Sequence, residues 1–257
     1  MVVLGVILIG IIAGVMSGLF GIGGGLIIVP ALIAFLRLGI LQANATSLAA
    51  MLLPVGILGV INYYKAGFIH VRDALWVSVG LIAGSFLGAE LALSLQVGML
   101  SKFYAAFLFY IAISYFFSRA SGSQTKNDTT LETSMPAQSF WLFIIVGVLA
   151  GVIAGLFGKG GGLVIVPVLV RFFRYNPKAA SATSLAAFLP LVGLPSVIVY
   201  FENGYLNLTY AALMACGIVV GTFFGSKAAI KLPVDSFKKV YAIFLVAVAV
   251  YLIFEAR

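Results

Sequence analysis

Charge is scarce in this sequence, and its scarcity excludes most classes of protein. Of the 257 residues only 9% are Asp, Glu, Lys or Arg, whereas 63% are hydrophobic. A soluble domain carries roughly 25% charged residues, so a soluble surface cannot be built from this composition. The apolar excess also excludes an intrinsically disordered chain. Because the apolar stretches are long and continuous rather than alternating, the sequence predicts an all-α, polytopic membrane protein.

Residues that carry out catalysis are also few. The single cysteine, Cys216, excludes an internal disulfide, and the single histidine, His70, is interpreted as an ordinary residue of a surface loop. The sequence contains no HExxH motif, no pair of carboxylates deep in an apolar segment and no Ser–Lys dyad. We therefore expect neither an intramembrane hydrolase nor any other enzyme, and no metal or cofactor.

Positive charge exceeds negative charge, with 15 Lys and Arg residues against 7 acids. These basic residues lie mostly between apolar segments, where such residues fix orientation and meet lipid headgroups. A nucleic-acid partner is not expected, and the alternative that remains open is attraction of an anionic solute.

Eight apolar segments follow one another, and two of them are too long for a single crossing. A membrane-spanning helix needs about 20 residues to cross a hydrocarbon core of about 30 Å. Segments 2–38 and 140–173 exceed that length, and each has a glycine cluster near its middle. We predict that each is a pair of shorter helices joined at the cluster, either as two crossings or as a re-entrant hairpin. The other segments are 45–64, 74–95, 103–117, 182–201, 208–230 and 241–254.

The two halves of the chain are copies of each other at one constant shift in numbering. AGVMSGLFGIGGGLIIVPAL, from Ala13, matches AGVIAGLFGKGGGLVIVPVL, from Ala150, without a gap. The domains predicted are a first repeat at 1–117, a polar linker at 118–139 and a second repeat at 140–257. Such repeats are typical of secondary transporters.

Five membrane segments per half would make the repeats inverted, because an odd number reverses the second copy. This count places eleven Lys and Arg residues on one face and four on the other. The richer face is expected to be cytoplasmic. The linker would then lie in the cytoplasm and both termini outside.

The glycine clusters are the first candidate site. Glycine lets a backbone leave the helix and approach a ligand closely, and each cluster precedes an apolar helix whose N-terminal N–H groups favour an anion. The alternative is a tight turn or close packing without a ligand. A nucleotide motif is excluded, because Lys159 is not followed by Ser or Thr. The candidate residues are Gly23, Gly24, Gly25, Gly160, Gly161 and Gly162. Lys159, present in the second cluster only, either supplies a cation to the anion or extends its ammonium to the membrane interface.

A polar tetrapeptide and its copy form the second candidate site. Asn44-Ala45-Thr46-Ser47 corresponds to Ser181-Ala182-Thr183-Ser184. Asn44 and Ser181 would serve equally well as helix N-caps. The remaining candidates, Thr46, Ser47, Thr183 and Ser184, offer hydroxyl donors to an oxyanion, and their neutrality would permit release.

Further repeated residues are interpreted structurally. Three glycines four residues apart in each half are expected to let helices pack closely; they are Gly80, Gly84 and Gly88, with Gly217, Gly221 and Gly225 as their copies. Prolines within apolar segments are expected to kink helices; they are Pro30, Pro54, Pro167, Pro190 and Pro195. Glu90 and Lys227 align and either pair or lie in water at helix ends.

At the two glycine blocks, 18–30 and 155–167, and the two A-T-S-L-A-A blocks, 45–50 and 182–187, the sequence resembles the TauE/SafE (TSUP) sulfite exporter family. The resemblance covers nearly the whole chain. It implies transport of sulfite or small organosulfur anions across the bacterial inner membrane. With the repeats, it predicts an exporter that works by alternating access around a central site. The alternative from another class is a membrane scaffold without a solute path.

Overall fold

The computed structural model describes residues 2–52, 56–95, 140–158, 161–234, 236–237 and 240, and the predicted linker lies outside these ranges. Within them the chain is helical and has no strand, which confirms the all-α class. The ten helices described are α1 (Val2–Phe20), α2 (Gly25–Leu36), α3 (Ile40–Leu52), α4 (Ile57–Lys65), α5 (Val71–Ser94), α6 (Phe140–Phe157), α7 (Gly162–Arg171), α8 (Pro177–Ala187), α9 (Leu194–Glu202) and α10 (Leu208–Lys231).

Four of these helices, α1, α5, α6 and α10, are long and apolar enough to cross a membrane. They have 18 to 24 residues, which at 1.5 Å per residue gives about 27 to 36 Å. The pair α3 and α4, bent by 49°, makes a fifth candidate span if it is counted as one. Large apolar side chains such as Ile12, Phe86, Leu149 and Phe224 are exposed on the long helices, as a lipid-facing surface requires.

Residues Met1–Ser94 and Ser139–Leu232 form one compact unit, so both halves contribute to it. The second unit comprises Leu95–Gln138 and Pro233–Arg257, of which few residues are described. All ten helices belong to the first unit. The last apolar segment of each half, 103–117 and 241–254, lies outside the described residues. The division into an N-terminal repeat, a linker and a C-terminal repeat stays a prediction.

The long helices of one half pack against the long helices of the other half. Helix α1 of the first half packs on α10 of the second, and α6 of the second packs on α5 of the first. Glycine makes these contacts possible, because a Cβ on Gly14 would lie 2.5 Å from the backbone oxygen of Ile218, and one on Gly151 would lie 2.6 Å from that of Leu81. Gly84 and Gly221 approach backbone in the same way, so the predicted role of the glycine stripes is confirmed.

The shorter helices form matching contacts in the two halves, some within a half and some between the halves. Helix α2 packs on α3 as α7 packs on α8, while α4 packs on α10 as α9 packs on α5. In addition α4 contacts α8 and α9 contacts α3. Each of these helix pairs has a counterpart at the equivalent positions of the sequence repeat, so one packing arrangement is used twice.

A second kind of break divides segment 182–201, which the sequence analysis treated as one helix. Helix α8 ends at Ala187 and α9 begins at Leu194, with Pro190 between them. The Ser78 hydroxyl donates to the carbonyl of Ala187 at 2.8 Å, and the Ser85 hydroxyl donates to that of Val192 at 2.9 Å. Hydroxyls of α5 therefore satisfy carbonyls that the interrupted helix leaves free.

The prolines that were expected to kink helices differ in their positions. Pro30 and Pro167 lie inside α2 and α7, whereas Pro195 lies in the first turn of α9, where its missing N–H costs nothing. Pro54 lies outside the described residues.

Candidate functional site

The first glycine cluster breaks the chain between α1 and α2. Gly21, Gly23 and Gly24 have φ values of 67°, 81° and 76°, a left-handed conformation that glycine adopts without a Cβ penalty. A Cβ on Gly24 would lie 3.3 Å from the backbone oxygen of Ala13, about two turns before the end of α1. The four residues between the helices therefore double back along α1, and α2 begins at Gly25.

The second cluster forms a matching break between α6 and α7. Gly158 has φ 62°, and α7 begins at Gly162. A Cβ on Gly161 would lie 2.7 Å from the backbone oxygen of Ala150, so this break also turns back along its preceding helix. The predicted cation Lys159 and the neighbouring Gly160 lie outside the described residues.

The two breaks meet. A Cβ on Gly162 would lie 2.5 Å from the Cα of Ile22 and would contact the backbone oxygen of Gly21. The first N–H groups of a helix have no partner within it, and its N-terminus carries about half a positive charge. Helix α7 therefore begins in contact with the first break. Gly25 and Gly162, where α2 and α7 begin, are both buried, and the N-terminal N–H groups of such helices favour an anion.

Each polar tetrapeptide lies against the break of the other half. The backbone of Gly21 contacts that of Ser181 in α8. A Cβ on Gly158 would lie 2.7 Å from the Cβ of Asn44 in α3. The structure thus brings the two predicted sites together, with Asn44 at the second break and Ser181 at the first.

The interpretation of Asn44 and Ser181 as N-caps is wrong. Helix α3 begins at Ile40, so Asn44 lies in its second turn. Helix α8 begins at Pro177, and its N-cap is Asn176, whose side chain accepts a 3.0 Å hydrogen bond from the backbone N–H of Lys178. Both helices start more than one turn before the place that the apolar pattern suggested, and the two polar residues are buried inside them.

The polar side chains of the tetrapeptides, all fully buried or nearly so, divide into two groups. Three are engaged. The Asn44 amide donates to the carbonyl of Leu156 at 3.1 Å, the Ser184 hydroxyl donates to that of Gly21 at 2.8 Å, and the Thr183 hydroxyl accepts from the backbone N–H of His70 at 3.3 Å. The hydroxyls of Thr46, Ser47 and Ser181 have no hydrogen-bond partner within the described part of the chain.

Two tyrosines that the sequence analysis missed hold the helix ends next to the breaks. The Tyr63 hydroxyl donates to the carbonyl of Gly18 at 2.7 Å, and the Tyr200 hydroxyl donates to that of Gly155 at 2.9 Å. Both tyrosines are buried, and they occupy equivalent positions of the sequence repeat. That equivalence was the available signal.

A buried lysine was also missed. Lys178, 7% exposed, is the one charged residue buried within the described ranges. Its ammonium donates to the carbonyl of Ile230 at 3.0 Å, near the end of α10, and lies 5.7 Å from the centre of the Phe68 ring. The helix-start signal Asn176-Pro177 would have placed Lys178 one turn before Ser181 on the same helix face. Its counterpart in the first half is Leu41.

A second polar cluster lies where α5 and α8 begin. The His70 ring lies 4.7 Å from the Tyr175 ring, whose hydroxyl donates to the carboxylate of Asp73. Burial, and then this hydrogen bond, raise the pKa of the Tyr175 hydroxyl, so it stays protonated as a donor. His70 is exposed in the loop before α5, as expected, and its backbone N–H donates to the hydroxyl of Thr183.

Glu90 and Lys227, which align in the sequence repeat, lie on the surface of the described structure. They form no ion pair with each other there, and the Lys227 ammonium lies 4.0 Å from the centre of the Phe223 ring. Within the described ranges no three His, Cys, Asp or Glu residues are grouped as a metal site would require.

Comparison with known proteins gives a consistent result. The sequence matches the family described as "Sulfite exporter TauE/SafE" over residues 6–252. It is 32% identical to a probable membrane transporter protein of Haemophilus influenzae, with 95% of each chain covered. It is 34% identical to the probable membrane transporter protein YdhB of Bacillus subtilis, covering 86% of this chain and 88% of the relative. No solved structure matches the chain.

Proposed function

Because the chain belongs to the sulfite exporter TauE/SafE family and is a multi-pass membrane transporter, we propose that its solute is sulfite or a related sulfur oxyanion or organosulfonate. The chain is not an enzyme. Its substrate donors are proposed to be backbone N–H groups of the two breaks together with hydroxyls of α3 and α8.

The meeting of the two breaks is the observation that carries this proposal. Gly162, the first residue of α7, contacts Gly21 and Ile22 of the first break, and each break lies against a polar tetrapeptide of the other half. Non-helical backbone is tolerated at membrane depth where it is enclosed by protein or lines a cavity. Neutral donors arranged in this way hold an anion without the strong ion pair that would prevent its release.

The packing of helices between the two halves supports alternating access. The same helix contacts occur twice, at equivalent positions of the sequence repeat, and the two breaks lie where the halves meet. In transporters built from inverted repeats, one half rocks against the other around a site at the repeat interface. We propose that the halves of this chain are inverted repeats and move in this way.

Export follows from the membrane potential. An inside-negative potential assists the outward movement of an anion by about 2.3 kcal/mol per charge per 100 mV. In the bacterial inner membrane, with the basic face in the cytoplasm as proposed, this energy drives export without a coupling ion. The linker then lies inside and both termini outside.

Flux through purified protein in proteoliposomes tests the proposal. Vesicles loaded with radiolabelled sulfite, thiosulfate or a short alkanesulfonate are diluted into label-free buffer, and a potassium gradient with valinomycin sets the potential. We expect at least one sulfur anion to leave faster than from empty-membrane controls, and faster still when the interior is negative. If none of the three moves above the leak of protein-free vesicles, the proposed solute class is wrong.

A further inference from the structure

We propose that the hydroxyls of Ser47 and Ser181, one at each break, bind the transported anion directly, whereas Asn44 and Ser184 hold the breaks in place. This assignment rests on the proposed function, because it names the ligand side chains of the same site. It separates residues that the sequence treats as equivalent.

The cost of burying a hydroxyl without a partner supports this assignment. Ser47 and Ser181 are 0% exposed, and neither hydroxyl has a hydrogen-bond partner in the described structure. Burying a hydroxyl without a partner is unfavourable, and such groups in native proteins are few and require an explanation. A ligand that accepts a hydrogen bond from each would supply one.

Ser47 and Ser181 each lie beside one of the two breaks. Ser181 is in backbone contact with Gly21, at the first break. Ser47 follows Asn44 by one helical turn and so shares the face of α3 that meets Gly158 at the second break. Each break therefore has one unpartnered serine beside it, and the two breaks touch at Gly162.

The residues at the equivalent positions of the other half have different contacts. Ser184 corresponds to Ser47, but its hydroxyl donates to the carbonyl of Gly21 and is occupied. Asn44 corresponds to Ser181, but its amide donates to the carbonyl of Leu156. Each pair thus contains one residue that secures backbone and one that is available. The unpartnered Thr46 is not included, because its counterpart Thr183 faces the start of α5 rather than a break.

The chemistry selects an anion with at least two oxygens. The two serines belong to different halves and lie beside different breaks, so a single bound group must accept one hydrogen bond from each. Sulfite and sulfonates present three oxygens on one sulfur and can accept from both serines at once. The pair of serines therefore joins the two halves through the solute.

Single and double substitutions of the two serines test the assignment in the flux assay. A hydrogen bond to a charged group contributes about 1.5–3 kcal/mol, which corresponds to roughly a tenfold to hundredfold change in affinity. We expect Ser47→Ala and Ser181→Ala each to raise the KM for the transported sulfur anion at least tenfold. The thermal unfolding temperature should stay unchanged or rise, because each substitution removes a buried group without a partner.

Thr222→Val is the matched control. Thr222 is equally buried, but its hydroxyl donates at 2.6 Å to the carbonyl of Ile218 in its own helix, so KM should stay within twofold of wild type. Ser184→Ala should show the opposite pattern to Ser47→Ala, with a clear loss in unfolding temperature. The unfolding temperatures of these two variants show whether Ser47 and Ser184 differ in role.

The possible failures are distinguishable. If the wild type transports a sulfur anion but both serine variants keep its KM, the hydroxyls bind something else, such as buried water, and only this assignment is overturned. If both variants lose unfolding temperature, their role is structural and the assignment is again overturned. If the wild type transports no sulfur anion, the proposed function fails and the assignment fails with it.

Discussion

The two halves of this transporter share their packing but differ in their polar contacts. Glycines, tyrosines and helix breaks occupy matching places in both, and each packed helix pair recurs at the equivalent positions of the repeat. The hydrogen bonds of the two tetrapeptides do not recur, because the Ser184 hydroxyl donates to the carbonyl of Gly21 whereas the Ser47 hydroxyl has no partner in the described structure. A duplicated framework can therefore hold a site whose two sides have different tasks.

Replacing a glycine at a break should have the largest effect. In Gly158→Ala the new methyl group would lie 2.7 Å from the Cβ of Asn44, at a φ of 62° that alanine adopts only with strain. We expect a loss of more than about 3 kcal/mol in unfolding free energy, seen as loss of monodisperse protein in detergent. Gly21→Ala should be equally severe.

Gly5→Ala is the control for this prediction. Within the described structure no atom from outside the adjacent backbone of α1 lies within 4 Å of the position its Cβ would take, so alanine should be neutral or stabilising by about 0.5–1 kcal/mol. A Gly158→Ala protein as stable as Gly5→Ala would contradict the close approach of the break to α3.

Substitutions in the glycine stripes test whether the two crossings of long helices contribute equally to stability. Gly84→Ala and Gly221→Ala each force a methyl group into backbone, of Val148 in one case and of Ile11 in the other. We expect similar losses of about 1–3 kcal/mol in thermal or denaturant unfolding. A large loss from one substitution and none from the other would show that the two crossings are not equivalent.

Ser184→Ala and Ser47→Ala should differ in unfolding free energy, and this contrast sharpens the comparison between the halves. The first leaves the carbonyl of Gly21 without the hydroxyl donor it has now and should cost about 1–3 kcal/mol. The second removes an unpartnered group and should cost nothing. Equal losses from the two substitutions would indicate that Ser47 also secures backbone.

Among the substitutions expected to destabilise the protein, those of the tyrosines should have the smallest effect. Tyr63→Phe and Tyr200→Phe each remove one hydroxyl that donates to a carbonyl one turn or less before the end of a long helix. Each should lower the unfolding free energy by about 1 kcal/mol, and by similar amounts, in denaturant titrations. Unequal losses would show that the halves differ also at the tyrosines, where their contacts are otherwise equivalent.

Much of the fold could be predicted because glycine has a local effect. The clusters at 21–25 and 158–162 predicted breaks, and α2 and α7 begin at Gly25 and Gly162, within one residue of expectation. The close packing of the glycine stripes also followed from their spacing. Their partners could not be predicted, because a small-residue stripe shows that a helix approaches another but not which one.

Other features depend on tertiary contacts that the sequence pattern does not display. Segment 182–201 is continuously apolar, yet it breaks between α8 and α9, where Ser78 and Ser85 of α5 supply donors to the freed carbonyls. The N-cap assignment of Asn44 failed because Ile40 and Leu41 extend α3 by a turn toward the N-terminus. The unequal use of Ser47 and Ser184, which occupy identical motifs, is a property of the folded halves.

The most direct test of the central claim is to locate the anion. Selenite has the shape and charge of sulfite, and its selenium gives an anomalous X-ray signal, so crystals of the purified transporter grown with selenite would show where it binds. We expect one strong peak between the two breaks, within hydrogen-bonding distance of the Ser47 and Ser181 hydroxyls and the first N–H groups of α2 and α7. A peak confined to the exposed arginines, or none at the breaks under conditions where selenite competes for sulfite flux, would contradict the central claim.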